Sequence, residues 1–241
     1  MGNVQPTHAI YLFDSCALLQ SATLHSAAHA HLAHQWTCRT DGGLFTVWCD
    51  GQWQQLRQIF IPSLTPHQFA DEPAAYLTLL IDAGSTPAFV TQLQLWLQNI
   101  VVTAPDGIDL LCLSQALQAR QSYPDPRVRE VCALIRQSAD LSQLSADMLA
   151  QHVALSPGRL LHLFKAQTGL PLRKYLRWQK LLRVFRALAA PNPPPFTELA
   201  LQAGYYDAAH LANEIRQSFG LVLSDIVQNS RFFQDDLPQN R

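Results

Sequence analysis

Short apolar runs separated by turn sequences fill the N-terminal part of the chain. In the stretch CRTDGGLFTVWCDGQWQQLRQIFIPS (residues 38–63), the apolar runs are interrupted by Asp-Gly sequences at 41–43 and 50–51. Short apolar runs of this length are typical of strands, and Asp-Gly pairs are typical of hairpin turns. Several short strands at this spacing predict a β-rich barrel or sandwich.

The pattern becomes helical from about Pro87. Apolar residues between Phe89 and Ile100 recur at intervals of three and four, and residues 108–119 continue in the same style. The segment SYPDP (122–126) then contains two prolines, which disfavour helix and favour an extended link. We therefore predict a domain boundary at this segment.

Nearly all of the chain beyond the boundary has helical spacing. Ser145 is a suitable N-cap for a short helix, and Ser156 followed by Pro157 is a suitable start for the next one. Gly169 ends that helix, and a longer helix runs from Pro171 until the sequence PNPPP stops it.

An internal repeat organises this helical part. The pair Leu-Ala at 149–150 recurs at 199–200. A second set recurs 51 positions later, in which Leu160, Phe164, Lys165, Gly169 and Leu170 correspond to Leu211, Ile215, Arg216, Gly220 and Leu221. Each unit is predicted to be a short helix, a tight turn and a second helix that ends at glycine. This arrangement is a helix-turn-helix, and it occurs twice.

Charge is distributed unevenly along a chain whose formal net charge is only -1. Residues 1–126 carry three basic and nine acidic side chains, whereas residues 127–241 carry fourteen basic and nine acidic ones. Between Asp147 and Glu198 there are eight Lys or Arg residues and no acidic residue. This imbalance indicates a half that faces nucleic acid, and a solvated helix face is the alternative explanation.

The repeat and the charge fit the geometry of DNA. A major groove admits one helix, and its successive accessible turns lie ~34 Å apart. Two helix-turn-helix units joined by one long helix would reach two successive turns, while Lys and Arg neutralise phosphates.

The two units resemble the bipartite DNA-binding domain of the AraC/XylS family of bacterial transcription regulators. The resemblance is carried by MLAQHVALSPGRLLHLFKAQTGLPLRKYLRWQKL, from Met148, and by FTELALQAGYYDAAHLANEIRQSFG, from Phe196. It extends from about Arg127 to Gln234 and implies that the second helix of each unit enters the major groove. It also implies an N-terminal domain that senses an effector or dimerises and is often cupin-like.

We therefore predict an α+β chain with two domains. A cupin-like β-rich barrel is expected at residues 1–121, and an all-α domain with a double helix-turn-helix is expected at residues 127–234. The side chains predicted to contact DNA are Arg159, His162, Lys165, Arg173, Arg177, Lys180, His210, Asn213 and Arg216.

The residues at the family's base-contact positions depart from the family pattern. The family commonly has arginine where this chain has His162 and Asn213, and the remaining base-contact positions are Gly158, Leu161, Ala208 and Ala209. These residues offer few hydrogen bonds to base edges. We expect Arg159 and His162 to dominate base recognition, with Lys165 and Arg216 closer to phosphate.

Histidines are concentrated in the stretch LHSAAHAHLAHQW. His29 and His31 are two residues apart, so on a strand they would point to the same face. Together with His67 they resemble the His-x-His plus distant His of metal-binding cupin barrels, and imidazoles suit Zn, Fe or Ni. The cupin pattern expects a carboxylate near the position where this chain has Gln35, which argues against catalysis. Histidines of a core or pocket are the alternative, and no metal or other cofactor is assigned.

Several function classes are excluded by missing motifs. The sequence contains neither GxxxxGK[ST] nor GxGxxG nor GxSxG, so an ATPase, a dinucleotide enzyme or a serine hydrolase is not expected. Five cysteines without a CxxC pair indicate reduced, buried thiols. Without a secretory signal or a membrane span, a cytoplasmic location is expected.

We predict a transcription regulator that binds double-stranded DNA and catalyses no reaction. Its expected partners are a small-molecule effector, RNA polymerase in the case of an activator, and a second copy of the chain. The helices at 89–100 and 108–119 would pair two subunits or cover the barrel, and no membrane partner is expected. The alternatives are a metal-dependent cupin enzyme with a helical appendage and a helix-turn-helix protein that binds a protein.

Overall fold

The computed structural model describes residues 8–13, 16–24, 26–98 and 123–234. The helix predicted at 108–119 and the predicted end of the first domain at residue 121 lie outside these residues, so both stay predictions.

The chain divides into two compact units. Among the described residues, the first unit contains 8–82, 93–98 and 212–234, and the second contains 83–92 and 123–211.

Two sheets form the β-rich part of the first unit. The strands are β1 (His8–Leu12), β2 (Cys16–Leu24), β3 (His34–Arg39), β4 (Phe45–Cys49), β5 (Gln52–Leu56), β6 (Gln58–Ile61), β7 (His67–Phe69), β8 (Glu72–Ile81) and β9 (Ser230–Gln234). The larger sheet has the order β6-β3-β8-β2-β1-β9, and the smaller one has the order β5-β4-β7.

A shared hydrophobic core joins the two sheets. Phe45, Val47 and Phe69 from the smaller sheet pack with Ile61 and Tyr76 from the larger one, and all five are buried. The predicted β-rich N-terminal part is therefore confirmed. Its described strands form two sheets rather than a closed barrel, as β5 and β7 each have only one strand neighbour.

The two predicted Asp-Gly turns differ in what they connect. Asp50 and Gly51 have φ angles of 54° and 80° and close the hairpin of β4 and β5, as the sequence predicts. The turn at 41–43 does not close a hairpin, because β3 pairs with β6 and β8 whereas β4 pairs with β5 and β7. That turn carries the chain from one sheet to the other.

The helices of the described residues have these bounds: α1 (Pro87–Gln98), α2 (Pro126–Gln137), α3 (Ala146–His152), α4 (Pro157–Thr168), α5 (Leu172–Leu188), α6 (Phe196–Gln202), α7 (Ala208–Phe219) and α8 (Leu223–Asn229). None of these combines the length and the apolar character that crossing a membrane would require.

The predicted signals at the helix ends are confirmed. The Ser145 hydroxyl accepts the amide N–H of Met148 over 3.1 Å, and the Ser156 hydroxyl accepts that of Arg159 over 3.3 Å. Gly169 ends α4 with a φ of 75°, a left-handed conformation that favours glycine.

The structure reproduces the repeat helix by helix. The bounds of α4 and α7 differ by 51 at both ends, and both have 12 residues. Each unit closes its turn with the same backbone hydrogen bond, from Leu155 N to Ala150 O over 2.9 Å and from Tyr205 N to Ala200 O over 2.8 Å. The Asp207 carboxylate accepts the His210 amide N–H over 2.7 Å and so caps the start of α7.

The chain beyond α8 departs from the predicted all-helical pattern. Residues 230–234 form β9, which pairs in parallel with β1. Tyr11 stacks on Phe233 with ring centroids 4.9 Å apart. The strand obtains its hydrogen bonds from the edge of a sheet more than 200 residues away in sequence, and local periodicity does not contain that information.

Candidate nucleic-acid interface and a histidine cluster

Helix α4 separates buried apolar residues from an exposed polar face. Leu160 and Phe164 are fully buried in the hydrophobic core of the second unit. Arg159, His162 and Lys165, at intervals of three, are all exposed. An amphipathic helix of this kind presents its polar face to solvent or to a ligand.

Helix α7 repeats this arrangement at matched positions. His210, Asn213 and Arg216 occupy the positions 51 residues after the three exposed residues of α4, and all three are exposed. Leu211 and Ile215 are fully buried, as their counterparts in α4 are. The repeat therefore preserves both the core positions and the exposed face.

The basic residues of α5 differ in their surroundings. Arg173 and Arg177 are exposed. Lys180 donates a hydrogen bond to the carbonyl oxygen of Gly204 over 2.7 Å, and its ammonium lies 5.9 Å from the centre of the Tyr205 ring. This contact gives Lys180 a role in holding the turn that follows α6.

Arg183, which also lies on α5, caps the end of α2. Its guanidinium donates hydrogen bonds to the carbonyl oxygens of Ala139 over 3.0 Å, of Ile135 over 3.4 Å and of Ser138. Carbonyl groups at a helix C-terminus lack intrahelical donors, and an arginine supplies them. Burial lowers the pKa of Arg183.

Three histidines meet where two backbone segments of the first unit pair. His29 and His67 form an isolated antiparallel bridge, with N···O distances of 3.0 and 2.9 Å. One ring nitrogen from each of His29, His31 and His67 lies within 4.8 Å of the others. The three residues that the sequence places together as metal candidates are therefore adjacent in space.

Each imidazole of this cluster is oriented by a backbone carbonyl. The Nδ1 atoms of His29, His31 and His67 each lie 2.9 Å from a carbonyl oxygen two residues away. Because a carbonyl only accepts hydrogen bonds, each Nδ1 carries the proton and each Nε2 of the neutral ring keeps a lone pair.

The surroundings keep the cluster neutral. Burial lowers the pKa of His29 to about 4. Burial, together with the neighbouring His29 and His31, lowers the pKa of His67 to about 3. Burial also lowers the pKa of His31. The three rings are therefore uncharged imidazoles at pH 7, the protonation state that binds metal ions.

The end of α7 contacts this cluster, which the sequence did not predict. The rings of Phe219 and His31 have centroids 5.8 Å apart, and Ala27 N donates to Gly220 O over 3.4 Å. A Cβ atom at Gly220 would lie 2.6 Å from Ala27 O and 3.1 Å from His29 Nδ1. In the sequence Gly220 indicated only the end of a helix, since a contact across 190 residues leaves no local signal.

A separate cavity of about 570 Å³ opens beside the larger sheet. Its wall includes the aromatic pair Tyr11 and Phe233 together with His8, Tyr76 and Arg231. It lies within the first unit.

Two helix-turn-helix units in series, each with an exposed polar face on its second helix, define a bipartite DNA-binding module. Residues 149–229 match the family described as "Helix-turn-helix domain". This helical part is similar in sequence to bacterial transcription regulators of the AraC/XylS type.

Individual relatives agree with this assignment. Over 103 residues the chain is 32% identical to the arabinose operon regulatory protein of Escherichia coli (strain K12), which covers 42% of this chain and 34% of that protein. It is 25% identical over 159 residues to XylDLEGF operon transcriptional activator 3 of Pseudomonas putida, covering 64% of this chain and 46% of that protein. The chain thus spans about a third of the first relative and less than half of the second.

One solved structure resembles nearly the whole chain in fold. ToxT from Vibrio cholerae O395 superposes with a TM-score of 0.52 and 8% sequence identity, covering 92% of this chain and 97% of that one. This similarity supports a fold with a β-rich part followed by helical units.

Proposed function

We propose that this protein is a sequence-specific DNA-binding transcription regulator of the AraC/XylS type. The observation that supports this most strongly is the matching of the exposed residues of α4 and α7, position by position, across the repeat. A repeat maintained only for stability would need matched buried residues, but it would not need a matched polar face.

In this proposal the two second helices enter successive turns of the major groove. Arg159 and His162 contact base edges from α4, and His210 and Asn213 do so from α7. The cations Lys165, Arg173, Arg177 and Arg216 contact phosphates. The engagement of Lys180 with Gly204 supports an internal role for Lys180 in place of a DNA contact.

The N-terminal domain at residues 1–121 would regulate the DNA-binding domain at residues 127–234. A small-molecule effector that binds one conformation better than another shifts the population toward it, and the cavity beside Arg231 offers such a site. A second copy of the chain, and RNA polymerase in the case of activation, are the proposed protein partners. We assign the protein to the cytoplasm, where bacterial DNA is found, and assign it no catalytic reaction.

The test is to select genomic fragments with the immobilised full-length protein and then to measure affinity at several salt concentrations. We expect enriched fragments to share two half-sites about one helical turn apart. The logarithm of the binding constant should fall linearly with the logarithm of salt concentration, because each phosphate contact releases counterions. Retention of fragments without a common sequence, or of none, would contradict the proposal.

A further inference from the structure

We propose that His29, His31 and His67 form a binding site for a divalent transition-metal ion of the zinc class. We also propose that metal binding at this site fixes the position of the C-terminal end of α7. The second part rests on the proposed function, whereas the first part does not.

The donor set defines the class of metal. Three neutral imidazoles converge, and the described part of the chain brings no carboxylate or thiol into the cluster. Imidazole donors suit Zn, Ni, Co or Fe ions, whereas Mg and Ca ions require oxygen ligands. The site is therefore specific for borderline metals.

The orientation of the rings is the arrangement that metal ligands require. A histidine ligand usually donates its second ring N–H to a carbonyl or carboxylate, which fixes the tautomer and aims the other nitrogen at the metal. All three histidines have this contact, each over 2.9 Å. The backbone carbonyls thus fix the tautomer of each ring and leave each Nε2 with a lone pair for a metal ion.

Two ring nitrogens of the cluster lack a suitable hydrogen-bond partner within the residues that the structure describes. His67 Nε2 is buried and has no hydrogen-bond partner among the described residues. His31 Nε2 lies 2.7 Å from Gln35 Oε1, so two acceptors face each other unless the amide rotates or a cation joins them. A metal ion would satisfy His67 Nε2, and Gln35 Oε1, which lies beside His31, is the candidate fourth ligand.

The ring nitrogens of the three histidines must move closer together to bind one metal ion. Ring nitrogens now within 4.8 Å would need to approach to about 3.3 Å around a zinc ion with bonds of about 2.0–2.1 Å. A shift of the His29 side chain that keeps its Nδ1 contact with Ala27 O provides this approach, because His29 is only partly buried. The backbone bridge between His29 and His67 already holds the two segments together.

Ala27 links the cluster to α7. Its carbonyl oxygen accepts the Nδ1–H of His29, and its own N–H donates to the carbonyl of Gly220, which ends α7. Gly220 leaves no space for a side chain between them. A metal ion that fixes the His29 ring therefore fixes the Ala27 peptide and, through it, the end of the helix that carries His210, Asn213 and Arg216.

The first test measures metal binding by the full-length protein. After removal of metals with chelator, calorimetric titration with Zn²⁺ should give a stoichiometry of one ion per chain. Titration with Co²⁺ should give a visible d–d absorption band, as expected for Co²⁺ bound by imidazoles in a low-symmetry site. His67→Gln should weaken Zn²⁺ binding by at least about 100-fold, and His29→Gln should weaken it comparably. His34→Gln is the matched control and should leave binding within about threefold, because His34 Nδ1 accepts from Ser63 N outside the cluster.

Thermal unfolding of each variant checks that it folds, and His29→Gln provides a variant at a less buried position. Binding that His67→Gln and His29→Gln leave unchanged, or the absence of stoichiometric binding, would overturn the site.

The second test measures affinity for a selected DNA fragment by fluorescence anisotropy, with Zn²⁺ and with chelator. A coupled site should change the dissociation constant by about fivefold or more in the parent protein and not in His67→Gln. Zn²⁺ binding with unchanged DNA affinity would overturn the control of α7 and leave the metal site standing. Zn²⁺ binding by a protein that retains no DNA would refute the proposed function instead.

Discussion

The ammonium group of Lys180 donates a hydrogen bond to the carbonyl oxygen of Gly204 over 2.7 Å. Lys180 lies on α5, the helix between the two helix-turn-helix units, and Gly204 lies in the turn between α6 and α7 with a φ of 84°. A charged donor thus fixes the turn of the second unit to the connecting helix. A lysine in an acid-free basic block can therefore serve the fold rather than DNA.

Replacing Lys180 by Met should reduce the stability of the helical part. The substitution keeps an apolar stem and removes the charged donor, so we expect a loss of about 1.5–3 kcal/mol in the free energy of unfolding. Urea denaturation followed by circular dichroism measures it. The exposed Arg173→Met on the same helix is the control, and it should change stability by less than about 0.5 kcal/mol while weakening DNA binding. A Lys180→Met variant that keeps its stability but loses DNA affinity would show instead that Lys180 contacts DNA.

Replacing Arg159 and His162 by Ala should affect specific binding more than non-specific binding. Base contacts carry the sequence preference, and each good contact is worth about 1–3 kcal/mol of discrimination. Competition between a selected fragment and unrelated DNA measures the difference. Arg173→Ala should instead weaken binding to both DNAs equally and reduce the salt slope by about one. Equal losses for both DNAs in the first variant would refute base reading by α4.

Truncation of the matched core residues should destabilise both helix-turn-helix units. Leu160 and Leu211 are fully buried, so each change to Ala should cost about 2–5 kcal/mol. Leu161→Ala is a control beside the first site, because Leu161 is 43% exposed. It should change the free energy of unfolding by less than about 0.5 kcal/mol. A Leu211 variant as stable as the Leu161 variant would mean that the second helix-turn-helix unit lacks an intact core.

Two glycines, one inside α4 and one at its end, should respond oppositely to alanine. Gly158 lies in the helix, and a methyl group added there would meet no atom within 4 Å, so Gly158→Ala should raise stability by roughly 0.5–1 kcal/mol. Gly169 has a φ of 75°, where a side chain is strained, so Gly169→Ala should lower stability by about 1–2 kcal/mol. Thermal melts of the pair compare them directly. Stabilisation by Gly169→Ala would contradict a left-handed helix end.

The sequence predicted the helix ends because their signals are local. Ser156 caps α4 through an amide three residues away, and Gly169 ends the helix through its own backbone conformation. The hairpin at Asp50 and Gly51 was predictable for the same reason. The turn at 41–43 was not, since its outcome depends on which strands β3 and β4 join.

The candidate sites were predictable to different extents. The exposed faces of α4 and α7 follow from helical periodicity, and so the residues at the matched positions were identified from the sequence. The grouping of His29, His31 and His67 was suggested by spacing and by resemblance. The contact of Phe219 and Gly220 with that cluster required the fold, because it joins segments about 190 residues apart.

By itself, the sequence determined the helices, their caps, the twofold repeat and the segregation of charge, because each depends on residues within a few positions of one another. The tertiary structure alone decided the order of the strands, the return of β9 to β1, the engagement of Lys180 with Gly204 and the position of α7 beside the histidines. These depend on hydrogen bonds and packing between distant segments. Their partners are selected by the whole fold and not by local pattern.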